Sequence, residues 1–142
     1  MKTVAQLLVL KPDGLITIRP DAPVLDALRL LADKGVGAVL VMDGARLLGI
    51  VTERDYARKV ELKGKTANTT LVSEIMTREV VFVRPNQTNE DCMALMTGKH
   101  LRHLPVIEKD QVIGLLSIGD LVKDAISEQQ FIIEQLEHYI HR

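Results

Sequence analysis

Aromatic residues are scarce in this chain of 142 residues: they make up 3% of it, and tryptophan is absent. Hydrophobic residues still reach 46%, so a sizeable core must be built from Leu, Val, Ile, Ala and Met. A single cysteine, Cys92, cannot form a disulfide within the chain. We therefore expect a protein of a reducing compartment, the cytoplasm.

The chain also has no large excess of charge of one sign and no long apolar run. The formal net charge is -1, which argues against a nucleic-acid binder held mainly by phosphate neutralisation. No apolar run approaches the roughly 20 residues that span a bilayer. The N-terminal apolar segment has no signal-peptide cleavage site after it. We expect neither nucleic acid nor a membrane as a partner.

What the chain does contain is an internal repeat. Residues 16–60 align with residues 81–125 without a gap, at a constant offset of 65. The segment LLGIVTERD at 47–55, for example, lies over VIGLLSIGD at 112–120. Two copies are too few for a solenoid. They indicate two units packed about a pseudo-twofold axis, with any site in one copy repeated in the other.

Each copy has the pattern strand, helix, strand, strand, helix, which predicts the α/β class. Asp21 is the expected cap of the first helix. In the first copy we predict strands at 16–19, 38–42 and 47–52 and helices at 23–34 and 53–62. In the second copy we predict strands at 81–84, 103–107 and 111–116 and helices at 88–99 and from 118.

Segments outside the repeat complete the predicted organisation. Residues 6–11 and 71–76 resemble each other at the same offset, so each copy has a lead-in. The end of the chain predicts an amphipathic helix, which packs either on its own domain or against another subunit. The expected divisions are repeat 1 with its lead-in at 1–62, a flexible linker at 63–70, repeat 2 with its lead-in at 71–126, and a C-terminal helix at 127–142.

A motif of glycine, two hydrophobic residues, Thr or Ser, any two residues and Asp occurs where a strand ends and a helix begins. A helix N-terminus favours anions, and a carboxylate there suits the paired hydroxyls of a ribose. Alternatively, the hydroxyl and carboxylate only cap the helix, but a cap does not explain why the surrounding pattern recurs. The motif residues are Gly49, Thr52 and Asp55 in one copy, and Gly114, Ser117 and Asp120 in the other.

Together with the segments TERDYARK at 52–59 and RHLPV at 102–106, this motif resembles a pair of CBS domains, the Bateman module. The resemblance is strongest to stand-alone bacterial members and covers residues 4–126. It implies two β-α-β-β-α repeats, assembly into a homodimer, and two clefts between the repeats. In the family such clefts bind adenosine-containing ligands: AMP, ADP, ATP, NAD(H) or S-adenosylmethionine.

The resemblance also implies roles for individual residues. Asp55 and Asp120 would hold riboses, and Thr52 and Ser117 would contact phosphate or ribose. Phosphate partners would be Arg54, Arg102 and His103. Adenine would contact Leu15, Ile16, Gly37, Ala38 and Val39 in one cleft, and Thr77, Val80, Val81, His103, Leu104 and Pro105 in the other.

Other chemistry-bearing residues have simpler interpretations. Cys92 aligns with an alanine on the inner face of a helix and is expected in the core, as are Met93 and Met96. His100 and His103 have no obvious third ligand with which to bind a metal. We expect no metal and no required cofactor.

Three functional hypotheses follow. The first is a regulatory module, not an enzyme, that senses adenine nucleotides, for example in energy sensing, and signals through a dimer to an effector protein in trans. The second is a structural or oligomerisation module with degenerate clefts. The third, a nucleotide hydrolase, lacks a Walker-type glycine loop and an evident general base.

Overall fold

The computed structural model describes residues 2–11 and 14–141; Met1, Pro12, Asp13 and Arg142 lie outside the described residues. The chain divides into two compact units. We call Leu15–Val81 the continuous unit, and Met1–Gly14 together with Phe82–Arg142 the split unit. Each lead-in therefore belongs with the other repeat, which differs from the expected divisions at 1–62 and 71–126.

Helices and strands alternate in both units, which confirms the α/β class. In chain order they are α1 (Val4–Val9), β1 (Thr17–Ile18), α2 (Val24–Lys34), β2 (Ala38–Asp43), β3 (Arg46–Thr52), α3 (Glu53–Lys59), a 3₁₀ turn (Glu61–Lys63), α4 (Val72–Ile75), α5 (Asn89–Lys99), β4 (His103–Glu108), β5 (Gln111–Ser117) and α6 (Ile118–Ile140). The helix predicted at 53–62 ends three residues early, and the 3₁₀ turn follows it.

Backbone hydrogen bonds hold each lead-in in its unit. The N–H of Val4 donates to the carbonyl of Gln87 over 2.8 Å, and the N–H of Val72 donates to that of Ala22 over 2.8 Å. Because Ala22 and Gln87 are repeat equivalents, Val4 and Val72 are equivalent too, and they lie 68 positions apart. The prediction that the lead-ins share the offset of 65 is thus wrong by three residues.

The continuous unit is built on a three-stranded sheet in the order β1-β2-β3. β1 is parallel to β2, and β2 is antiparallel to β3. The helix α2 packs on the sheet through Val24, Ala27 and Leu31, which recur at helical spacing and are buried. It ends at Gly35, whose φ of 64° is a left-handed conformation that glycine adopts without strain.

The start of α2 corrects two predictions. Asp21 does not cap the helix: the N-cap is Pro23, with no side-chain cap hydrogen bond, and Asp21 pairs with Arg19. The first-turn N–H groups instead donate to backbone carbonyls of the expected linker 63–70, Val24 to Thr70 over 2.8 Å and Leu25 to Ala67 over 3.0 Å. The linker therefore closes the end of a helix and is anchored.

The split unit has a two-stranded antiparallel sheet, β4-β5. The strand predicted at 81–84 is reduced to a single bridge between Val83 and Val106. The physical reason is Pro105, the equivalent of Leu40. In the continuous unit the N–H of Leu40 donates to the carbonyl of Ile16 over 3.1 Å, and proline has no N–H with which to make that bond.

The last helix is a single element. α6 runs from Ile118 to Ile140, so the predicted C-terminal helix at 127–142 is the continuation of the last repeat helix, with Arg142 outside the described residues. Leu121 and Asp124 are buried against the split unit. In the described part of the chain, no helix is long and apolar enough to cross a membrane.

Candidate functional site

The site predicted in the continuous unit lies where β3 passes into α3. Oγ1 of Thr52 accepts from the N–H of Asp55 over 3.2 Å, and Oδ2 of Asp55 accepts from the N–H of Thr52 over 2.9 Å. These reciprocal bonds form a capping box. The capping alternative raised by the sequence is therefore present in the structure.

The second carboxylate oxygen of Asp55 is also engaged. Oδ1 accepts from Oγ1 of Thr77 over 3.2 Å and lies 3.0 Å from Nζ of Lys59. Asp55 as a whole is 7% exposed. Donors from the protein thus occupy both oxygens, and a ribose would have to displace Thr77 or Lys59 to bind this carboxylate.

The split unit repeats the geometry where β5 passes into α6. Oδ2 of Asp120 accepts from the N–H of Ser117 over 2.8 Å, and Oγ of Ser117 accepts from the N–H of Asp120 over 3.2 Å. Lys11, from the N-terminal lead-in, places Nζ 2.9 Å from the same Oδ2. No described residue donates a hydrogen bond to Oδ1, and the side chain is 28% exposed. Asp120 is therefore the more open of the two carboxylates.

Electrostatics keep Asp120 ionised. Partial burial raises its pKa, but the hydrogen bond from the Ser117 backbone and the Lys11 ammonium outweigh burial, and the net pKa lies below the usual aspartate value. At neutral pH Asp120 thus presents one free anionic oxygen as an acceptor.

The glycine of each motif has a packing role. A Cβ on Gly49 would lie 2.7 Å from the carbonyl oxygen of Thr77, and a Cβ on Gly114 would collide with the side chain of Leu8. Each glycine therefore lets a lead-in approach the second strand of the hairpin closely. The glycine positions are explained without a ligand.

Cationic residues expected to bind phosphate lie near these junctions. Arg54 is exposed in the first turn of α3. Arg102 accepts, through its carbonyl, the N–H of Ile118 over 2.9 Å, and His103 pairs with Ser117 in the sheet. Burial lowers the pKa of His103, and the charges of Lys11 and Arg102 lower it further against the opposing effect of Asp120. The imidazole is therefore neutral at pH 7.

The residues expected around adenine in the second cleft come from both units. Thr77, Val80 and Val81 belong to the continuous unit, where the backbone of Thr77 exchanges hydrogen bonds of 2.9 and 3.0 Å with Ile50. His103, Leu104 and Pro105, which are predicted to contact the same adenine, belong to the split unit. The bond from Thr77 to Asp55 groups this lead-in with the first motif.

The other expected adenine residues also lie in the continuous unit. The carbonyl of Gly37 accepts from the N–H of Glu53 over 3.2 Å, so Gly37 borders the start of α3. Ala38 and Val39 are buried in β2. Leu15 is partly exposed before β1, and the carbonyl of Ile16 is bonded to β2.

A groove of about 550 Å³ opens on the helical side of the continuous unit. Its lining includes Gly37, but not Thr52 or Asp55. The lining is Leu28, Leu31, Ala32, Gly35, Val36, Gly37, Glu53 and Tyr56. This groove is therefore separate from the carboxylate predicted to hold ribose.

The described residues give little support for metal binding or for a nucleophilic role of Cys92. They contain no group of three or more His, Cys, Asp or Glu side chains that could hold a metal ion. Cys92 is fully buried, and burial together with Asp91 raises the pKa of its thiol to about 11. Cys92 is thus a core residue, as predicted, and not a reactive thiolate.

Sequence reasoning missed Lys11 as a site residue. Its ammonium touches Asp120 although the two residues lie 109 positions apart. Lys11 is in a lead-in whose true offset differs from that of the repeat, so alignment of the two copies gives it no counterpart beside Asp55. Lys59, the cation at Asp55, comes instead from the same helix as the carboxylate.

The chain belongs to the CBS-domain family. The CBS domain family model matches residues 11–62 and 72–126. The chain is 38% identical over 125 residues to the CBS domain-containing protein CBSX3, mitochondrial, of Arabidopsis thaliana, covering 84% of this chain and 61% of that protein. It spans 23% of CBSCBSPB2, a second relative from the same plant. The chain thus spans less than two thirds of the length of these relatives.

Solved structures agree with the family. A CBS-domain protein from Burkholderia ambifaria is 52% identical, with a TM-score of 0.87 over 90% of this chain and 96% of that one. The CBS domain pair of protein MJ0100, solved in complex with 5′-methylthioadenosine and S-adenosyl-L-methionine, has a TM-score of 0.78 at 20% identity, covering 90% of this chain and 98% of that one. At that identity the likeness shows the fold alone.

Proposed function

We propose that this CBS pair is a non-enzymatic regulatory module that binds adenosine-containing ligands at its strand-to-helix junctions. The observation that carries the proposal is the ionised carboxylate of Asp120, held in place through Oδ2 by Ser117 and Lys11 while Oδ1 receives no hydrogen bond from the described residues. A fixed carboxylate oxygen is a suitable acceptor for ribose hydroxyls. The adenosine ligands of the MJ0100 pair support the ligand class.

The surroundings of Asp120 favour a ligand that also carries negative charge. Lys11 lies 2.9 Å from the carboxylate, and both Lys11 and Arg102 are close enough to His103 to lower its pKa. Around His103, the two cations Lys11 and Arg102 thus stand against the one carboxylate of Asp120, which leaves a local excess of positive charge. Phosphorylated ligands such as AMP, ADP, ATP or NAD(H) fit this excess better than a neutral nucleoside.

The two units should differ in affinity. Asp55 already receives donors on both oxygens and is almost fully buried. Binding at Asp55 must break one of these contacts, whereas binding at Asp120 adds to those present. We propose that the split unit binds first, and that Thr77 or Lys59 yields in the continuous unit only at higher ligand concentration.

Isothermal titration calorimetry with AMP, ATP, NADH and S-adenosylmethionine tests the proposal. We expect at least one phosphorylated ligand to bind with micromolar affinity and one tighter site per chain. Mass spectrometry of small molecules released by denaturing the native protein provides an independent readout. Absence of binding by all four ligands, with no co-purified nucleotide, would refute the proposal.

A second candidate is a module that acts through assembly. The saturated carboxylate of Asp55 and the capping roles of both motifs favour this alternative. So do the exposed apolar residues of α6. In either case we propose a cytoplasmic homodimer that acts on a separate effector protein. Size-exclusion chromatography with light scattering, done with and without nucleotide, separates the two functions: a dimer that binds no ligand supports assembly alone.

A further inference from the structure

The second half of α6 extends beyond the body of the split unit. Near its start, Asp124 is buried and its carboxylate accepts hydrogen bonds of 2.7 Å from both Asn89 and Lys2. From 129 to 141, by contrast, every residue is exposed. A helical segment with no described neighbour to cover its apolar side chains gains little stability from within the chain. Exposed apolar side chains of this kind are typical of a surface that binds another protein.

Exposed side chains along α6 follow a heptad repeat. Intervals of four, three, four, three and four residues separate Val122, Ile126, Gln129, Ile133, Leu136 and Ile140. Such a spacing is typical of the a and d positions of a coiled coil. Isoleucine occupies all three a positions, and the exposed fractions of Ile126 and Ile140 are 62% and 73%. We call these six residues the α6 seam.

The α6 seam points away from the body of its own unit. At about 100° per residue, its six members lie within an arc of about 80°, centred about 130° from the face of Leu121 and Asp124. The seam can therefore be covered from outside over its whole length. Val122 to Ile140 corresponds to about 27 Å of helix at 1.5 Å per residue.

We propose that a second copy of this chain covers the α6 seam, with the two helices packed as an antiparallel coiled coil. In this arrangement Ile126 faces Leu136 of the second copy, and Ile140 faces Val122. Near the centre Ile133 faces Gln129, whose polar end reaches solvent at the edge of the seam. The proposal specifies a surface and an orientation for the homodimer proposed above, and it does not depend on nucleotide binding.

Charge complementarity selects the antiparallel orientation. At the flanking e positions, Glu137 then lies opposite Lys123 of the second copy, and this pair forms twice. In a parallel coiled coil Glu137 would instead face Ile132, an apolar residue at a g position, and no opposite-charge pair would form. The antiparallel register also places the two Ile132 side chains against each other.

The size of the flanking residues agrees with that register. Small Ala125 lies opposite Tyr139 of the second copy, so the ring has room to cover the start of the partner helix. Ala125 and Tyr139 are both at g positions, and Tyr139 is 72% exposed in the single chain. Phe131, on the opposite side of the helix, stays uncovered by this pairing.

The first test is the oligomeric state of the full chain, measured by analytical ultracentrifugation from 1 to 100 μM. We expect a dimer for the unaltered chain and at least a 100-fold weaker dimer for Leu136→Glu. Phe131→Glu is the matched control, because Phe131 is an apolar residue of similar exposure on the opposite face of α6. It should leave the dimer unchanged.

Three outcomes would overturn the proposal: a monomeric unaltered chain at 100 μM, a Leu136→Glu dimer of unchanged strength, or equal weakening by Phe131→Glu. Circular dichroism at the dimer concentration checks that each variant remains folded. Calorimetric titration of Leu136→Glu with nucleotide separates this test of the dimer from the test of the proposed nucleotide binding. Loss of the dimer with binding retained supports the seam and leaves the nucleotide site intact.

The second test is orientation, read from single cysteines under mild oxidation. An Ile132→Cys variant should form a disulfide-linked dimer in the antiparallel arrangement. An Ile126→Cys variant should not, since its two copies would lie about 15 Å apart along the axis, beyond the reach of a disulfide. Cys92 is buried and should not interfere. Cross-linking of Ile126→Cys in place of Ile132→Cys would rule out the antiparallel orientation.

Discussion

Nζ of Lys11 lies 2.9 Å from Oδ2 of Asp120, so the N-terminal lead-in is tied to the first turn of the last helix. The lysine also donates to the backbone carbonyl of Leu115 in β5. One side chain thus connects the lead-in, a strand and a helix of the split unit. Two consequences can be measured: a contribution to stability that depends on pH, and a contribution to ligand affinity.

Replacing Lys11 should reduce stability at neutral pH. Asp120 has a folded-state pKa below its ordinary value, partly because of Lys11. Its contribution is therefore present above the ordinary aspartate pKa and is lost as pH falls through the lowered folded-state pKa. We expect Lys11→Met to cost about 0.5 kcal/mol at pH 7, since the pair is partly exposed. Urea unfolding at pH 7 and at pH 3 measures the difference.

The control for that experiment is Lys63→Met, which removes an exposed lysine at the end of the 3₁₀ turn. It should leave stability unchanged at both pH values. For Lys11→Met the loss should shrink as the pH falls through the lowered pKa of Asp120, and only the share that comes from the hydrogen bond to the Leu115 carbonyl should remain. A loss of the same size at pH 3 as at pH 7 would show that the ion pair with Asp120 contributes nothing to stability.

Replacing Asp120 and Asp55 one at a time should affect different properties: mainly ligand affinity for Asp120, and mainly stability for Asp55. We expect Asp120→Asn to weaken the binding of a phosphorylated adenosine ligand at least tenfold, with a small change in stability. Asp55→Asn should instead lower the free energy of unfolding by about 2 kcal/mol, because it breaks a buried set of hydrogen bonds and an ion pair. Calorimetric titration and chemical denaturation of both variants test the difference.

Equal loss of affinity in both variants would show that Asp55 binds ligand as readily as Asp120, against the order of binding proposed above. A stable Asp55→Asn variant would show that the hydrogen bonds of Asp55 with Thr52 and Thr77 contribute little. In both cases the native chain, titrated in the same buffer, provides the reference. The two variants are isosteric with the native residues, so changes in shape are small.

Most of the architecture could be predicted from the sequence because its signals are local. Hydrophobic periodicity gave α2 and α5 to within a residue or so of their ends, and glycine and aspartate marked the turn between β2 and β3. The strand predicted at 81–84 failed for a nonlocal reason. Its partner residue is Pro105, and the missing N–H matters only once the two segments are paired.

The grouping of the lead-ins could not be predicted, because it depends on which repeat each one contacts. The backbone bonds of Val4 and Val72 decide this, and nothing in the two segments identifies their acceptors. The motif residues Thr52 with Asp55 and Ser117 with Asp120 do lie together as the spacing indicated. Their roles toward a ligand stay predictions.

A buried asparagine should be important for the split unit. Nδ2 of Asn89 donates to the carbonyl of Leu121 over 3.0 Å and to Oδ2 of Asp124 over 2.7 Å. Replacement by alanine leaves two buried acceptors short of a donor, so we expect Asn89→Ala to cost about 2 kcal/mol. Urea denaturation measures the change. Asn68→Ala, at an exposed site, serves as the control and should be neutral; equal stability of both variants would contradict the role of Asn89.

Gly114→Ala should be mildly destabilising, because the added Cβ meets the end of the Leu8 side chain, which must move aside. Overpacking in a tight core costs about 1–3 kcal/mol, and because Leu8 is a flexible and only partly buried side chain we expect a cost near the lower end of that range. Gly98→Ala is a matched control: it lies in α5 with no atom within 4 Å of the added Cβ, and should stabilise the helix by up to about 1 kcal/mol. Thermal and urea unfolding of both variants give the comparison.

Rescue distinguishes the collision from a general intolerance of side chains at this position. Shortening Leu8 to alanine removes the colliding atoms, so the double variant Gly114→Ala with Leu8→Ala should be less unstable than the sum of the two single changes. We expect a coupling of about 1 kcal/mol in the double-mutant cycle. Strict additivity would mean that the lead-in does not pack on β5 as described, and the assignment of α1 to the split unit would then fail.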